Sequence, residues 1–160
     1  MKKAIFLDRD GVLNVKRNDY VKSEEELEIL PDIQNQLLRL VNAGYDLFIL
    51  TNQSVINRGL ISVEDESKIN KKLLDFLTNH GVKISKIYIC PHRPDENCLC
   101  RKPNIGMINQ AVQEFEIDLT TSWFLGDSES DKEAATRAGC NFALVCNNLN
   151  IVVDQILTQI

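Results

Sequence analysis

Short apolar runs alternate along the chain with stretches whose apolar residues recur every three or four positions. Residues 4–7 (AIFL) are a continuous apolar run that stops at Asp8, as in a strand buried on both faces. After Pro31 the spacing changes: Ile33, Leu37, Leu40 and Val41 share one face of a helix over 32–43, with Gly44 as its stop. Residues 46–50 (DLFIL) read as a second strand ending at Thr51. Ser62 with Asp65 forms a capping box; the helix it opens has Ile69, Leu73, Phe76 and Leu77 on its face and closes at Gly81. The same reading predicts strands over 86–89, 122–125 and 141–145. It predicts helices over 105–115, from beyond Asp127 to Ala138, and from about residue 150.

Strands separated by helices join through right-handed crossovers. The expected fold is therefore α/β, a Rossmann-like, mostly parallel sheet with helices on both faces. No repeat or linker composition interrupts the pattern, so residues 1–160 are expected to form one domain. In such sheets ligands gather outside the carboxyl ends of the strands. Asp8, Thr51, Lys102 and Asp127 all fall at or beyond such ends.

Two aspartates at i and i+2 on extended backbone, Asp8 and Asp10, face the same way. Unscreened, their charges repel. A divalent cation removes the conflict, and an oxygen-lined site suits Mg²⁺. One carboxylate then has the chemistry to attack phosphorus and the other to handle the proton. The same residues also suit a capped turn with Asp10-Gly11 at its corner.

Composition narrows the choices. The 160 residues are 44% hydrophobic and 26% charged, the balance of a soluble globular chain. With 18 basic and 23 acidic residues the net charge is −5, which argues against nucleic acid or an anionic membrane as partner. No apolar run approaches the ~18 residues of a membrane span. The run over 4–7 falls short of the ~7–15 apolar residues of a secretory leader. A cytoplasmic monomer with reduced cysteines is expected.

Three of the five cysteines crowd together with one of the two histidines. Cys90, His92, Cys98 and Cys100 give C-x-H-x5-C-x-C, a closed set of soft and borderline ligands suited to structural Zn²⁺. Such a site leaves no open position for substrate. Its expected role is to shape the loop ahead of Arg101 and Lys102. Cys140 and Cys146 have no partner pattern and are expected to be buried apolar residues. His80, ahead of Gly81, reads as a helix C-terminal residue.

Four segments taken in order resemble the haloacid dehalogenase superfamily of phosphotransferases. DRDGVLN from Asp8, TNQS from Thr51, CRKP containing Lys102, and GDSESD containing Asp127 are similar to its motifs I to IV. The resemblance implies that Asp8 is a nucleophile forming an aspartyl-phosphate and Asp10 the general acid and base. It places the phosphoryl group against Thr51, Asn52, Gln53 and Ser54. It assigns Mg²⁺ to Asp8, the Asp10 backbone carbonyl and Asp127, and charge stabilisation to Lys102. Asp131 is expected to orient Lys102 or a metal-bound water.

The zinc insertion before CRKP resembles the branch of that superfamily acting on heptose bisphosphates and on histidinol phosphate, which lacks a large cap domain. The substrate implied is a small phosphorylated sugar. TNQSVINRG favours the heptose side; the short gap from His92 to Cys98 favours the histidinol side. Ser128, where a basic residue often follows the motif IV aspartate, weakens the case for a second substrate phosphate. Arg101 is expected to grip a remote phosphate through its planar fork. Residues 16–20 are expected to cover the sugar, Arg58 to be a solvated loop arginine, and Glu24, Glu25 and Glu26 to form a solvated face. A phospho-accepting signalling domain and a zinc-scaffolded interaction module are the readings from other classes.

Overall fold

A computed structural model describes residues 1–159. The elements in chain order are β1 (Lys3–Leu7), α1 (Ile33–Asn42), β2 (Tyr45–Asn52), α2 (Val63–Asn79) and β3 (Lys86–Cys90). They continue with α3 (Gly106–Phe115), β4 (Trp123–Gly126), α4 (Glu129–Ala138), β5 (Asn141–Leu144) and α5 (Leu149–Leu157). The five strands form one parallel sheet in the order β3-β2-β1-β4-β5.

Each predicted strand and helix is present, with ends moved by a few residues. The capping box predicted at Ser62 forms: its side chain accepts from the Asp65 amide while the Asp65 carboxylate accepts from the Ser62 amide. His80 caps the C-terminal end of α2, its Nδ1 lying 2.8 Å from the Phe76 carbonyl. β2 runs on through Asn52, so Thr51 lies inside the strand rather than beyond it. Pairing with β3 through Asn52 and Cys90 accounts for the extension.

Strand alternation divides the apolar residues between two cores. Ile5, Leu7, Leu47 and Ile49 face one side, covered by α1, α2 and α5. Ala4, Phe6, Phe48 and Leu50 face the other, covered by α3 and α4. Because both faces are covered, β1 needs an unbroken apolar run, which explains why AIFL shows no alternation of polarity. The Cys146 expectation fails: that residue is exposed in the turn after β5, and Cys140 is only half-buried. No helix among the described residues is long and apolar enough to cross a membrane.

The strand order fixes where a ligand site forms. Successive connections run β1 to β2 to β3 on one side, and the chain then crosses to β4 and β5 on the other. The direction reverses at β1 and β4, and the carboxyl ends of those two strands open a crevice at this switch point. Asp8 follows β1 and Asp127 follows β4, and the Asp8 amide donates to the Leu125 carbonyl at 3.1 Å.

Candidate active site

The crevice holds a cavity of about 380 Å³ lined by Asp8, Asp10, Asn52, Gln53, Ser54, Arg101, Lys102, Asp127 and Asp131. Four chain segments far apart in sequence meet there, as the strand ends predict. A second hollow, of about 480 Å³, lies on the other side of the β1 loop and is mostly apolar.

Lys102 sits at the centre, 4% exposed. Its ammonium lies 3.1 Å from Asp8 Oδ1 and 2.8 Å from Asp131 Oδ1, and donates to the Leu50 carbonyl at 2.9 Å. Burial alone would lower its pKa, but the two carboxylates outweigh burial and raise it. Asp8 behaves differently. Burial pushes its carboxyl up to about 7 against the pull of Lys102, with Asp131, Asp10 and Asp127 pushing the same way. The pair is a charged lysine facing a carboxyl short of countercharge.

Asp10 has the opposite balance. Burial would raise its pKa, yet the Arg9 guanidinium and hydrogen bonds from Asn14 and Gln53 hold it below the usual carboxylate range. Oδ1 accepts from Arg9 Nε at 3.1 Å and from Asn14 Nδ2 at 2.8 Å; Oδ2 accepts from Gln53 Nε2 at 3.0 Å. Gln53 also donates to Thr51 Oγ1 at 2.8 Å. Asn52 is committed to the Lys102 backbone: its Nδ2 donates to the Lys102 carbonyl at 3.2 Å and its Oδ1 accepts the Lys102 amide at 3.1 Å.

Asp131 is in contact with Lys102. Its carboxylate is 1% exposed and spans Lys102, the Asp127 amide and the Ser128 hydroxyl. Asp8 and Asp127 then remain as acidic groups not committed to each other's neighbours. Asp127 Oδ1 is buried with no hydrogen-bond partner among the described residues. One oxygen each of Asp8, Asp127 and Asp131 lie within 4.8 Å of one another. An orphaned buried oxygen beside a carboxyl short of countercharge fits a hard divalent cation.

Gly11 makes that approach possible. Its φ is +89°, and a Cβ there would fall 2.2 Å from Asp127 Oδ2. Gly11→Ala is therefore expected to displace Asp127 and strain the turn, raising the half-saturating Mg²⁺ concentration about tenfold or more, since each lost kcal/mol is a factor of about five. Titration of activity against Mg²⁺ checks this.

Cys90, His92, Cys98 and Cys100 also converge. Their ligand atoms all lie within 4.8 Å of one another. Cys90 Sγ is 3.3 Å from His92 Nδ1 and 3.6 Å from Cys98 Sγ, and Cys98 Sγ is 3.7 Å from Cys100 Sγ. A tetrahedron with ~2.3 Å metal–sulfur bonds has edges of about 3.7 Å. Two of the three sulfur pairs match that edge and Cys90–Cys100, at 2.8 Å, falls short of it, so it is the donor chemistry, three thiols and an imidazole, that suits Zn²⁺. Burial pushes the Cys90 thiol up. Cys98 falls to about 7 although burial opposes it, because the Arg101 amide and neighbouring groups hydrogen-bond its sulfur. Arg101 is tied to the same loop through Nη1, which donates to the His92 carbonyl at 3.1 Å. It is not paired with Asp95 or Glu96; Arg93 is the partner of Asp95.

Arg58 is exposed in its loop, as expected, and it also lines the cavity, its Nε donating to Ser54 Oγ at 3.0 Å and its guanidinium 5.8 Å from the Tyr20 ring. Glu26 is not part of a solvated face: it accepts from Arg17 and Lys22 and ties down the loop that brings Lys16, Asn18 and Tyr20 to the cavity. Lys16 puts its ammonium 3.6 Å from Asp127 Oδ2, so a cation stands near Asp127 although Ser128 is not one. Ser128 instead caps α4, accepting from the Asp131 amide.

Sequence reasoning missed Arg9, Glu66 and Asn70. Arg9 is fully buried between two site aspartates and pairs with Glu66 across 57 positions. The signal was available: Glu66 and Asn70 lie on the otherwise apolar face of α2 with Ile69 and Leu73.

The family described as polynucleotide kinase 3 phosphatase matches residues 3–149. The D-glycero-beta-D-manno-heptose-1,7-bisphosphate 7-phosphatase of Helicobacter pylori strain 26695 is 40% identical over 157 residues, covering 98% of this chain and 87% of that one. The histidine biosynthesis bifunctional protein HisB of Legionella pneumophila strain Lens is 35% identical over 143 residues, covering 89% of this chain and 41% of that one. The crystal structure of the D,D-heptose 1,7-bisphosphate phosphatase from B. bronchiseptica, complexed with magnesium and phosphate, superposes with a TM-score of 0.92 at 33% identity, covering 99% of each chain.

Proposed function

The chain belongs to the polynucleotide kinase 3 phosphatase family of haloacid dehalogenase-like phosphatases, and on that premise we propose that it hydrolyses the 7-phosphate of D-glycero-D-manno-heptose 1,7-bisphosphate. One observation carries the reading: the carboxylates of Asp8, Asp10 and Asp127, the buried Lys102 and the polar side chains of Asn52, Gln53 and Ser54, from separate segments, converge on one cavity at the switch point, with Thr51 buried just behind them against Gln53.

In the proposed mechanism a carboxylate oxygen of Asp8 attacks phosphorus, and the bond from phosphorus to the sugar oxygen breaks as the acyl-phosphate bond forms. Asp10 gives its proton to the departing sugar oxygen. Oδ1 is taken by two donors, so the proton belongs on Oδ2. In the free site Asp10 is held ionised; the negative phosphate arriving beside it favours the protonated form. Asp10 then removes a proton from water, which attacks the acyl phosphate, releases inorganic phosphate and restores Asp8. Lys102 spreads the charge of the transferring group, and Asp131 keeps Lys102 aimed. Mg²⁺ would be held by Asp8, Asp127 and the Asp10 backbone carbonyl, and when bound it supplies the countercharge that lets a carboxylate approach a phosphate. Zn²⁺ would be held by Cys90, His92, Cys98 and Cys100, away from the chemistry.

Histidinol phosphate is the second reading, supported by the HisB relative and the short zinc loop. The cavity wall favours the bisphosphate. Lys16, Arg17, Arg58 and Arg101 line it in addition to Lys102, and cations suit a second phosphate better than the ammonium and imidazole of histidinol. A phosphate-release assay over the heptose 1,7-bisphosphate, its monophosphates and histidinol phosphate tests this. One phosphate per bisphosphate, lost from C7, is the expected result. An equal or higher kcat/KM on histidinol phosphate overturns the substrate assignment.

A further inference from the structure

Arg9 stands between the two site aspartates, yet its side chain turns away from the cavity and is fully buried. Its guanidinium works as a fork. Nε donates to Asp10 Oδ1 at 3.1 Å, while Nη1 donates to Glu66 Oε1 at 2.5 Å and to Asn70 Oδ1 at 2.8 Å. Glu66 is 1% exposed, and Asn70 donates to the same Oε1 at 3.3 Å. A line of contacts therefore runs from α2 through Arg9 to Asp10.

Burying an ion pair is a poor way to stabilise a helix contact, since apolar residues of similar size do as well or better. Ile69, Leu73 and Leu77 already pack α2 onto the sheet. What the pair adds is direction. A planar guanidinium held at Nη1 presents Nε along a fixed line, and Asn14 supports the same Asp10 oxygen from the other side. The oxygen left to face the cavity is Oδ2, with Gln53 as its neighbour.

We infer that Glu66 is a positioning residue for phosphoryl transfer, which through Arg9 fixes the orientation of the Asp10 carboxyl toward the leaving oxygen. The inference rests on the assignment of Asp10 as general acid. Small misplacements of such a group lower rates by large factors, so the effect of losing Glu66 falls on steps needing that proton.

Leaving-group dependence tests this. The second-order constant kcat/KM covers steps through the first phosphoryl transfer and excludes the later hydrolysis. A sugar alkoxide needs a proton to depart; p-nitrophenolate does not. The readout is the ratio of kcat/KM on the heptose bisphosphate to kcat/KM on p-nitrophenyl phosphate. Both are measured on one preparation, so any unfolded fraction cancels. In Asp10→Asn the ratio is expected to fall about 100-fold, within the usual contribution of a general acid. In Glu66→Gln it is expected to fall about tenfold, and in Asn70→Ala by less, in the same direction. Equal losses on both substrates, or no loss, in Glu66→Gln overturn the inference. If that variant yields no folded protein, an unchanged ratio in Asn70→Ala overturns it. An unchanged ratio in Asp10→Asn overturns the general-acid assignment and the inference with it, whereas a fall there without one in Glu66→Gln overturns the inference alone.

Discussion

Asp8→Asn is expected to lower phosphate release by about four orders of magnitude or more, the scale seen when a catalytic nucleophile is removed, while leaving the fold in place. The amide matches the carboxylate in size and keeps an oxygen for the Arg9 amide, which donates to Asp8 Oδ1 at 2.8 Å. A second effect has the opposite sign. Burial lifts the Asp8 carboxyl from 3.8 to about 7. Without Mg²⁺ the native state thus binds more protons than the unfolded state between those values, and stability falls as pH rises through that window. Above it the whole penalty is present. Protein dialysed free of Mg²⁺ is therefore expected to have a higher Tm at pH 8 as Asp8→Asn than as wild type, with the gap closing toward pH 4. Added Mg²⁺ should raise the wild-type Tm and move the variant less. Thermal melts at several pH values check this. Full turnover by Asp8→Asn would remove the nucleophile assignment, and a variant less stable at pH 8 would contradict the electrostatic one.

Loss of the Zn²⁺ proposed at Cys90, His92, Cys98 and Cys100 is expected to have the other large effect. The loop carrying the last two cysteines has little apolar anchoring: Leu99 is 83% exposed. Structural zinc in finger peptides contributes ~10–16 kcal/mol of apparent binding free energy, as large as the whole stability of a typical domain at ~5–15 kcal/mol. Metal analysis is expected to find about one equivalent of zinc. Cys98→Ser should lower Tm more than it changes the Mg²⁺ requirement, because the sulfur touches the Arg101 amide and no group of the acidic cluster. Native folding retained after full zinc removal, read by circular dichroism and thermal melting, would refute the scaffold role.

The strands and helices were legible because their apolar spacing reports burial directly, and the two-faced core asks for the unbroken run of β1. The first and last motif aspartates were legible because the ends of parallel strands are where such sheets bind. Strand order was not. Nothing local in AIFL says that β1 lies at the centre, since that depends on how crossovers distribute around it. Arg9 was missed for a related reason. Its sequence neighbours give no sign of burial; the partners that hold it inside, Glu66 and Asn70, are 57 and 61 positions away on α2. Glu26 was misread because loop residues carry no periodicity; its partners Arg17 and Lys22 are set by how the loop folds back on itself.

The central place of β1 bears on how the site comes apart. Its amides and carbonyls are paired on both flanks, so the backbone leading to Asp8 exchanges its hydrogens only when the whole sheet opens. Lys102 hangs instead from the loop after an edge strand, fastened by Asn52, Asp8 and Asp131. Backbone hydrogen exchange is therefore expected to be slower at Asp8 than at Lys102, and an opening confined to the β3 edge would part the lysine from the aspartate while the central strand stays paired.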